Sequence, residues 1–213
     1  IKFLCKHKII EYQKMCKRGI TMENPYKSIN ELKTGKITTA QKVLFDGLIK
    51  LWKTKPIYKI SVKELTEVSN VARSTFYVYY KNIDELIEDI ENYHISQMMH
   101  LNEELMNTDI KSDVYLSYYQ ETINYVKKNK DVFYAFLIAN INNRFIQKWK
   151  DGMKYHLLES EYRLYNADNC NLILEMVASQ VISGYTFWLT NPNDVNINGL
   201  AKIVSQTLRL IEI

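Results

Sequence analysis

The sequence predicts an all-α fold, and three observations carry that reading. Glycine and proline are scarce, six and three among 213 residues, too few for the many tight turns of an all-β chain. From Thr38 onward, apolar residues recur three and four positions apart, the spacing of one helix face. Capping residues stand directly ahead of these runs, and Pro or Asn often follows them. Hydrophobic residues make up 46% and charged residues 24%, the balance of an ordinary globular protein.

Residues 1–35 lack a clear period. Cys5–Arg18 fits a short basic helix, but Arg18-Gly19 and Asn24-Pro25 interrupt it. The segment therefore reads as a poorly ordered basic arm or an extension. Leu44, Leu48 and Leu51 then form a helical stripe flanked by Val43 and Trp52. Thr38 or Thr39 caps its start, and Lys55-Pro56 lies just past its end. Ser61-Val62-Lys63-Glu64 has capping-box spacing: the Ser61 hydroxyl accepts from the Glu64 amide, and the Glu64 carboxylate reaches back to the Ser61 amide. Val62, Leu65 and Val68 give this short helix its buried side. Asn70 tolerates the left-handed conformation a tight turn needs, and Val71 plugs the turn. A second short helix runs from about Ala72 through Tyr79. Asn82-Ile83-Asp84-Glu85 repeats the cap logic and opens a long helix through Leu86, Ile90 and Tyr93 toward Leu105. Further helices are expected at about Val114–Lys128, Asp131–Ile141, Arg144–Glu161, Asn169–Leu189 and Asn198–Ile211.

Two short helices joined by a tight turn bury little on their own. They are useful when the first braces the second in a DNA major groove. Phe76 is the core-facing residue of the second helix, which leaves Arg73, Ser74, Thr75, Tyr77 and Tyr79 outward. That set is rich in donors. Arginine contacts a guanine edge or clamps a phosphate, and small hydroxyls and phenols donate to phosphate. Charge points the same way. Residues 1–35 carry +5, residues 36–81 carry +6 and residues 82–213 carry −7, so a polyanion partner is expected for the front of the chain only.

Lys36–Leu86 resembles the DNA-binding domain of the TetR/AcrR family of bacterial transcription regulators. The resemblance rests on Lys55–Leu65, on Asn70–Asn82 with its Thr75-Phe76-Tyr77-Val78-Tyr79-Tyr80 run, and on Asp84-Glu85-Leu86. Within the family it looks similar to the branch that includes dihydroxyacetone-kinase operon regulators. The resemblance implies an N-terminal three-helix helix-turn-helix domain over 36–86 and a helical effector-binding and dimerisation domain over 87–213. It assigns DNA contacts to Thr38, Ser61, Arg73, Ser74, Thr75, Tyr77, Tyr79, Lys81 and Asn82, with Asn82 and Ile83 offering backbone N–H groups to a phosphate. It also implies a homodimer on a near-palindromic double-stranded operator, with recognition helices roughly 34–36 Å apart. Repression under control of a small-molecule effector is the expected mode, in the cytoplasm. Ala72 departs from the pattern by lacking a capping hydroxyl, at a cost of about 1 kcal/mol. Ile83 stands where a phosphate-binding lysine is common. These departures leave an alternative: a TetR-like protein acting mainly through a protein partner, with weak DNA binding.

In the C-terminal part, Leu172–Leu189 is apolar around most of its girth, as expected of a helix that buries two faces. The last two helices are read as a dimer interface through Leu172, Glu175, Val177, Val181, Gly184, Trp188, Leu200, Val204 and Leu208. Tyr115, Tyr119, Phe133, Phe136, Met153, Tyr155, Tyr162 and Met176 are candidates for lining an effector pocket. Cys5, Cys16 and Cys170 are scattered, with no CxxC, so disulfides and a metal site are not expected. No paired carboxylates, Ser/His/Asp set or phosphate-cradling glycine loop points to an enzyme, and no resident cofactor is expected. The most apolar window, Asn171–Leu189, is interrupted by Glu175, Ser179 and Gln180 and is read as a buried helix instead of a membrane span.

Overall fold

The computed structural model describes residues 24–32, 37–106, 114–160 and 169–194, together with residues 196, 199, 200, 202, 203 and 206. Among them the regular elements are all helical. Helix α1 is Thr39–Trp52, α2 Val62–Val68, α3 Arg73–Tyr79, α4 Ile83–Met106, α5 Val114–Lys128, α6 Lys130–Tyr134, α7 Asn143–Ser160 and α8 Cys170–Thr190. Short 3₁₀ turns at Lys27–Glu31 and Ile57–Lys59 precede α1 and α2.

Helix α1 begins with a complete capping box: Thr38 Oγ1 accepts from the Gln41 amide, and the Gln41 side chain accepts from the Thr38 amide. Its stripe of Leu44, Leu48, Leu51 and Trp52 is buried. A Cβ at Gly47 would overlap Ser69 Oγ and crowd Leu65, so glycine there lets α2 lie close against α1. At α2 the expected capping box is only half made. Ser61 Oγ accepts from the Glu64 amide at 3.2 Å, but the Glu64 carboxylate turns to the Lys55 ammonium instead of the Ser61 amide. Charge attraction to a nearby cation outweighs a neutral backbone donor. Asn70 has φ 52°, the left-handed turn residue the sequence predicts.

One continuous apolar core runs from α1 to α8. Aromatic edges join its layers: Trp52 of α1 meets Phe136 at 5.0 Å, Phe136 stacks on Phe145 of α7 at 4.6 Å, and Trp149 of α7 meets Tyr185 of α8 at 5.1 Å. The helix expected over Asp131–Ile141 is split. Helix α6 ends at Tyr134 and a π-helical turn, Ala135–Ala139, follows. Its wider winding keeps Ala135, Phe136 and Leu137 all inward.

A polar clasp joins α4 to α7. The Glu91 carboxylate, 0% exposed, accepts from Asn142 Nδ2 at 2.7 Å, Arg144 Nε at 2.8 Å and Lys148 Nζ at 3.0 Å. Such pairing is the condition for burying a carboxylate at all.

The arm expected over 1–35 is docked in part. Asn24 Nδ2 donates to the Tyr155 carbonyl at 3.1 Å and to Glu159 Oε1 at 3.0 Å. The Lys154 ammonium lies 5.2 Å from the Tyr26 ring centre, and Ile29 is buried in the main core. Residues 24–32 thus lie on α7, where apolar anchors and side-chain bonds override the polar local composition. The predicted helix Cys5–Arg18 lies outside the described residues.

Candidate nucleic-acid interface

The recognition helix α3 has seven residues and a single fully buried anchor, Phe76. Its N-cap, Ala72, makes no side-chain cap bond, as its lack of a hydroxyl dictates. Around this anchor Arg73, Ser74, Tyr77, Val78 and Tyr79 are exposed and Thr75 is half-buried. The structure therefore turns the sequence-assigned donors of α3 outward. Arg73 Nη2 donates to Tyr77 Oη at 3.2 Å, and its guanidinium sits 5.6 Å from the Tyr77 ring centre. This stacking holds two donors one helical turn apart on one face.

The start of α4 adds a second group. Asn82 Oδ1 accepts from the Glu85 amide at 2.9 Å, which leaves the Asn82 NH₂ outward. Glu85 Oε2 accepts from the Lys81 amide at 2.8 Å, and Lys81 Nζ lies 3.4 Å from Glu85 Oε1. The Lys81 backbone N–H, aided by the Lys81 ammonium, holds the Glu85 carboxyl below its ordinary range. Ser61 and Thr38 are exposed, and both serve as caps. Ser61 uses its oxygen as acceptor, so its proton stays available to a phosphate. Thr38 differs. Its hydroxyl both accepts from the Gln41 amide and donates to Gln41 Oε1 at 3.0 Å, and its backbone N–H donates to the same oxygen at 3.1 Å.

Two residues behind this surface went unassigned as site residues in the sequence. Tyr80 is buried, donates to Asp89 Oδ2 at 2.6 Å and accepts from Gln41 Nε2 at 3.2 Å. Burial, then the bond to Asp89, pushes its phenol well above the ordinary range. Gln41 could have been found from the Thr38-x-x-Gln41 spacing, which is that of a capping box. Tyr80 gives no sequence signal that separates it from its exposed neighbours Tyr77 and Tyr79. Tyr58 and Val78 are further exposed hydrophobic residues on these elements.

Among the described residues, the candidates for an effector pocket hold different places. Phe133 and Phe136 are fully buried in aromatic packing, and Tyr155 is half-buried. Met153 borders a small cavity with Ile95, Met98, Met99, Thr122, Trp149 and Gly152, with room for no more than about one water molecule. Met176 faces outward from α8, which corrects its place in that set. The side chains of Tyr115 and Tyr119, and all of Tyr162, lie outside the described residues.

The expected dimer face also needs revision. Val177, Val181 and Trp188 are buried inside the chain, and a Cβ on Gly184 would come within 2.5 Å of Leu200. These residues serve the chain's own packing. Leu172 of the expected face is outward at 57% exposure, and the other large apolar residues exposed on α8 are Met176 and Phe187, at 63% and 59%, with Ile203 beyond. The difference is one of helical phase: an apolar girth leaves the direction of the core undetermined. Glu175 is tied to Lys150 at 2.7 Å and Lys154 at 2.5 Å. Val204 and Leu208 lie outside the described residues. Helix α8 is long and apolar enough to cross a membrane, but its inner side packs in the core.

No protein-family model matches the chain. Among curated proteins, the HTH-type dhaKLM operon transcriptional activator DhaS of Lactococcus lactis subsp. lactis is 22% identical over 177 residues, covering 80% of this chain and 88% of that protein. The solved structure of the fatty acid degradation regulator FadR from Bacillus halodurans matches with a TM-score of 0.67 at 12% identity, over 82% of this chain and 96% of that one. A TetR-family transcriptional regulator from Syntrophomonas wolfei matches with a TM-score of 0.64 at 10% identity, over 81% and 94%. The helical fold, with its short α3 and long α4, is thus the one these two solved structures match. The chain has the fold of the TetR family of transcriptional regulators.

Proposed function

We propose that this chain is a sequence-specific, DNA-binding transcription regulator that works as a homodimer in the cytoplasm and is not an enzyme. The observation that carries the reading is the outward donor face of α3, Arg73, Ser74, Tyr77 and Tyr79, set beside the Lys81–Asn82 start of α4. A basic front over residues 1–81 and an acidic remainder direct a polyanion to that end. Residues 36–86 are the DNA-binding unit, and residues 87–213 supply dimerisation and the response to a small molecule. The resemblance leads to repression, whereas the curated relative is named an activator. A promoter–reporter assay with and without the chain separates the two.

Selection from a random duplex library tests the reading, and a near-palindromic sequence is the expected product. With six or more phosphate contacts per dimer, affinity for it falls about a thousandfold or more between 50 and 200 mM salt. A library with no enriched sequence favours the second reading, a regulator acting through a protein partner, which the uncapped start of α3 supports.

A further inference from the structure

We propose that Gln41 is a positioning residue for operator binding: its side-chain amide locks the recognition helix to the helices before and after it. The inference rests on the DNA-binding reading above. A primary amide offers two acceptor sites and two donors, and Gln41 uses all four inside the protein. Oε1 accepts the Thr38 amide at 3.1 Å and the Thr38 hydroxyl at 3.0 Å. Nε2 donates to Tyr80 Oη at 3.2 Å and to Asp89 Oδ2 at 3.3 Å. The chemistry of the partners fixes which end is which. A backbone N–H can only donate and the Asp89 carboxylate, which accepts from the Tyr80 hydroxyl at 2.6 Å, can only accept.

The three partners lie at three strategic places. Thr38 is the N-cap of α1, Tyr80 closes the C-terminal end of α3, and Asp89 is on the second turn of α4. Helix α3 cannot set its own direction. Seven residues are too few for a self-stable helix, its first turn lacks a side-chain cap, and within it only Phe76 is fully buried. Its far end is held by Tyr80, and Tyr80 is held by Asp89 and Gln41. The outward donors Arg73, Tyr77 and Tyr79 therefore inherit their angle relative to Lys81 and Asn82 from this amide. Groups misplaced by about an ångström lose their phosphate and base bonds even when each is intact.

The lock also bears on Thr38. Both of its donors are committed to Gln41 Oε1, so Thr38 serves the interface through Gln41 and not through a hydroxyl bond to phosphate.

The test uses the full chain and the duplex recovered by selection. Gln41→Leu keeps the bulk and removes all four bonds. Its operator Kd is expected to rise about tenfold or more, as loss of bonds to a charged group implies, well below its melting temperature. The slope of log Kd against log salt stays unchanged, because Gln41 itself touches no phosphate. Combining Gln41→Leu with Tyr80→Phe costs less than the sum of the two single changes, because they share one bond, while combining it with Arg73→Ala is additive. An unchanged Kd in folded Gln41→Leu, a salt slope that falls by about one contact, or additivity with Tyr80→Phe each overturns the proposal. If Gln41→Leu does not fold, Asp89→Asn supplies the same comparison: weaker binding at unchanged salt slope supports it, and unchanged affinity overturns it. Wild-type chain that selects no sequence removes the DNA-binding reading and this inference together. Wild-type selection with an indifferent Gln41→Leu removes the inference alone.

Discussion

Arg73 opens the recognition helix with its guanidinium stacked beside the Tyr77 ring and bonded to its hydroxyl. Stacking limits the freedom that a long side chain would lose on meeting a base edge. Arg73→Ala should therefore relax base preference by about 1–3 kcal/mol at one position of the operator half-site. Competition binding against single-base variants measures this, and identical discrimination in the mutant rejects Arg73 as a base reader. Glu91 shows the opposite extreme of a charged residue, wholly buried with three side-chain donors around one carboxylate. Glu91→Leu leaves Arg144 and Lys148 partly buried beside an apolar group, a loss of about 3–5 kcal/mol. Urea unfolding reads it directly. A loss below about 1 kcal/mol would mean that the two cations relax to solvent without cost. The outward donors were legible in the sequence because Phe76 fixes the phase of α3. Glu91 and Asp89 were not: both sit among seven acidic residues between Asp84 and Glu104, and nothing local marks which of them turn inward.

At the scale of elements, local chemistry made helix starts legible and left inter-helix packing illegible. Asn70 at φ 52° and the bare N-cap Ala72 follow directly from the residue types. Ala72→Ser should add an acceptor for the first turn of α3 and raise stability by about 1 kcal/mol, measured as an upward shift in the urea midpoint at unchanged m-value. No shift would show that Ala72 lacks a geometry a serine can use. The docked segment 24–32 and the π-helical turn were not legible, because each is decided by distant partners: Tyr155 and Glu159 for the first, Trp52 and Phe145 for the second. Ile29 anchors that segment in the main core. Ile29→Ala should cost about 2–5 kcal/mol if the anchoring is as deep as its burial indicates. A cost near zero in the same urea titration would mean that the segment adds nothing to the stability of the body.

The whole molecule couples an electrostatic division to a division of surfaces. Its basic front carries the outward donors, and its acidic remainder carries the outward apolar stripe Leu172, Met176 and Phe187 of α8. The sequence made an apolar α8 legible and Leu172 is outward as expected, but Val177, Val181 and Trp188 turn inward, since hydrophobicity all round a helix carries no phase. Acid should weaken this assembly in two steps. Burial holds the His94 and His156 imidazoles at about 4, below their ordinary 6.5. Between those values the unfolded chain takes up protons that the folded chain refuses, so stability falls as pH drops from 6.5 toward 4. Lys150, and then Lys154, hold Glu175 at about 2 against an ordinary 4.5. Its contribution is complete above 4.5 and is lost as pH falls toward 2. A urea series across pH 7 to 3 with His94→Phe as control checks the first step; an unchanged slope in that variant contradicts the role given to His94. Association is the more demanding test. Phe187→Glu places a charge at the C-terminal end of the outward stripe without touching the core-facing side of α8, so the fold should persist while the dimer does not. Sedimentation should show a monomer with wild-type helical content. Because two half-sites then bind independently, operator affinity should fall by about a hundredfold or more. A variant that remains dimeric would move the interface off this stripe. A monomer with undiminished operator affinity would instead mean that one recognition helix suffices.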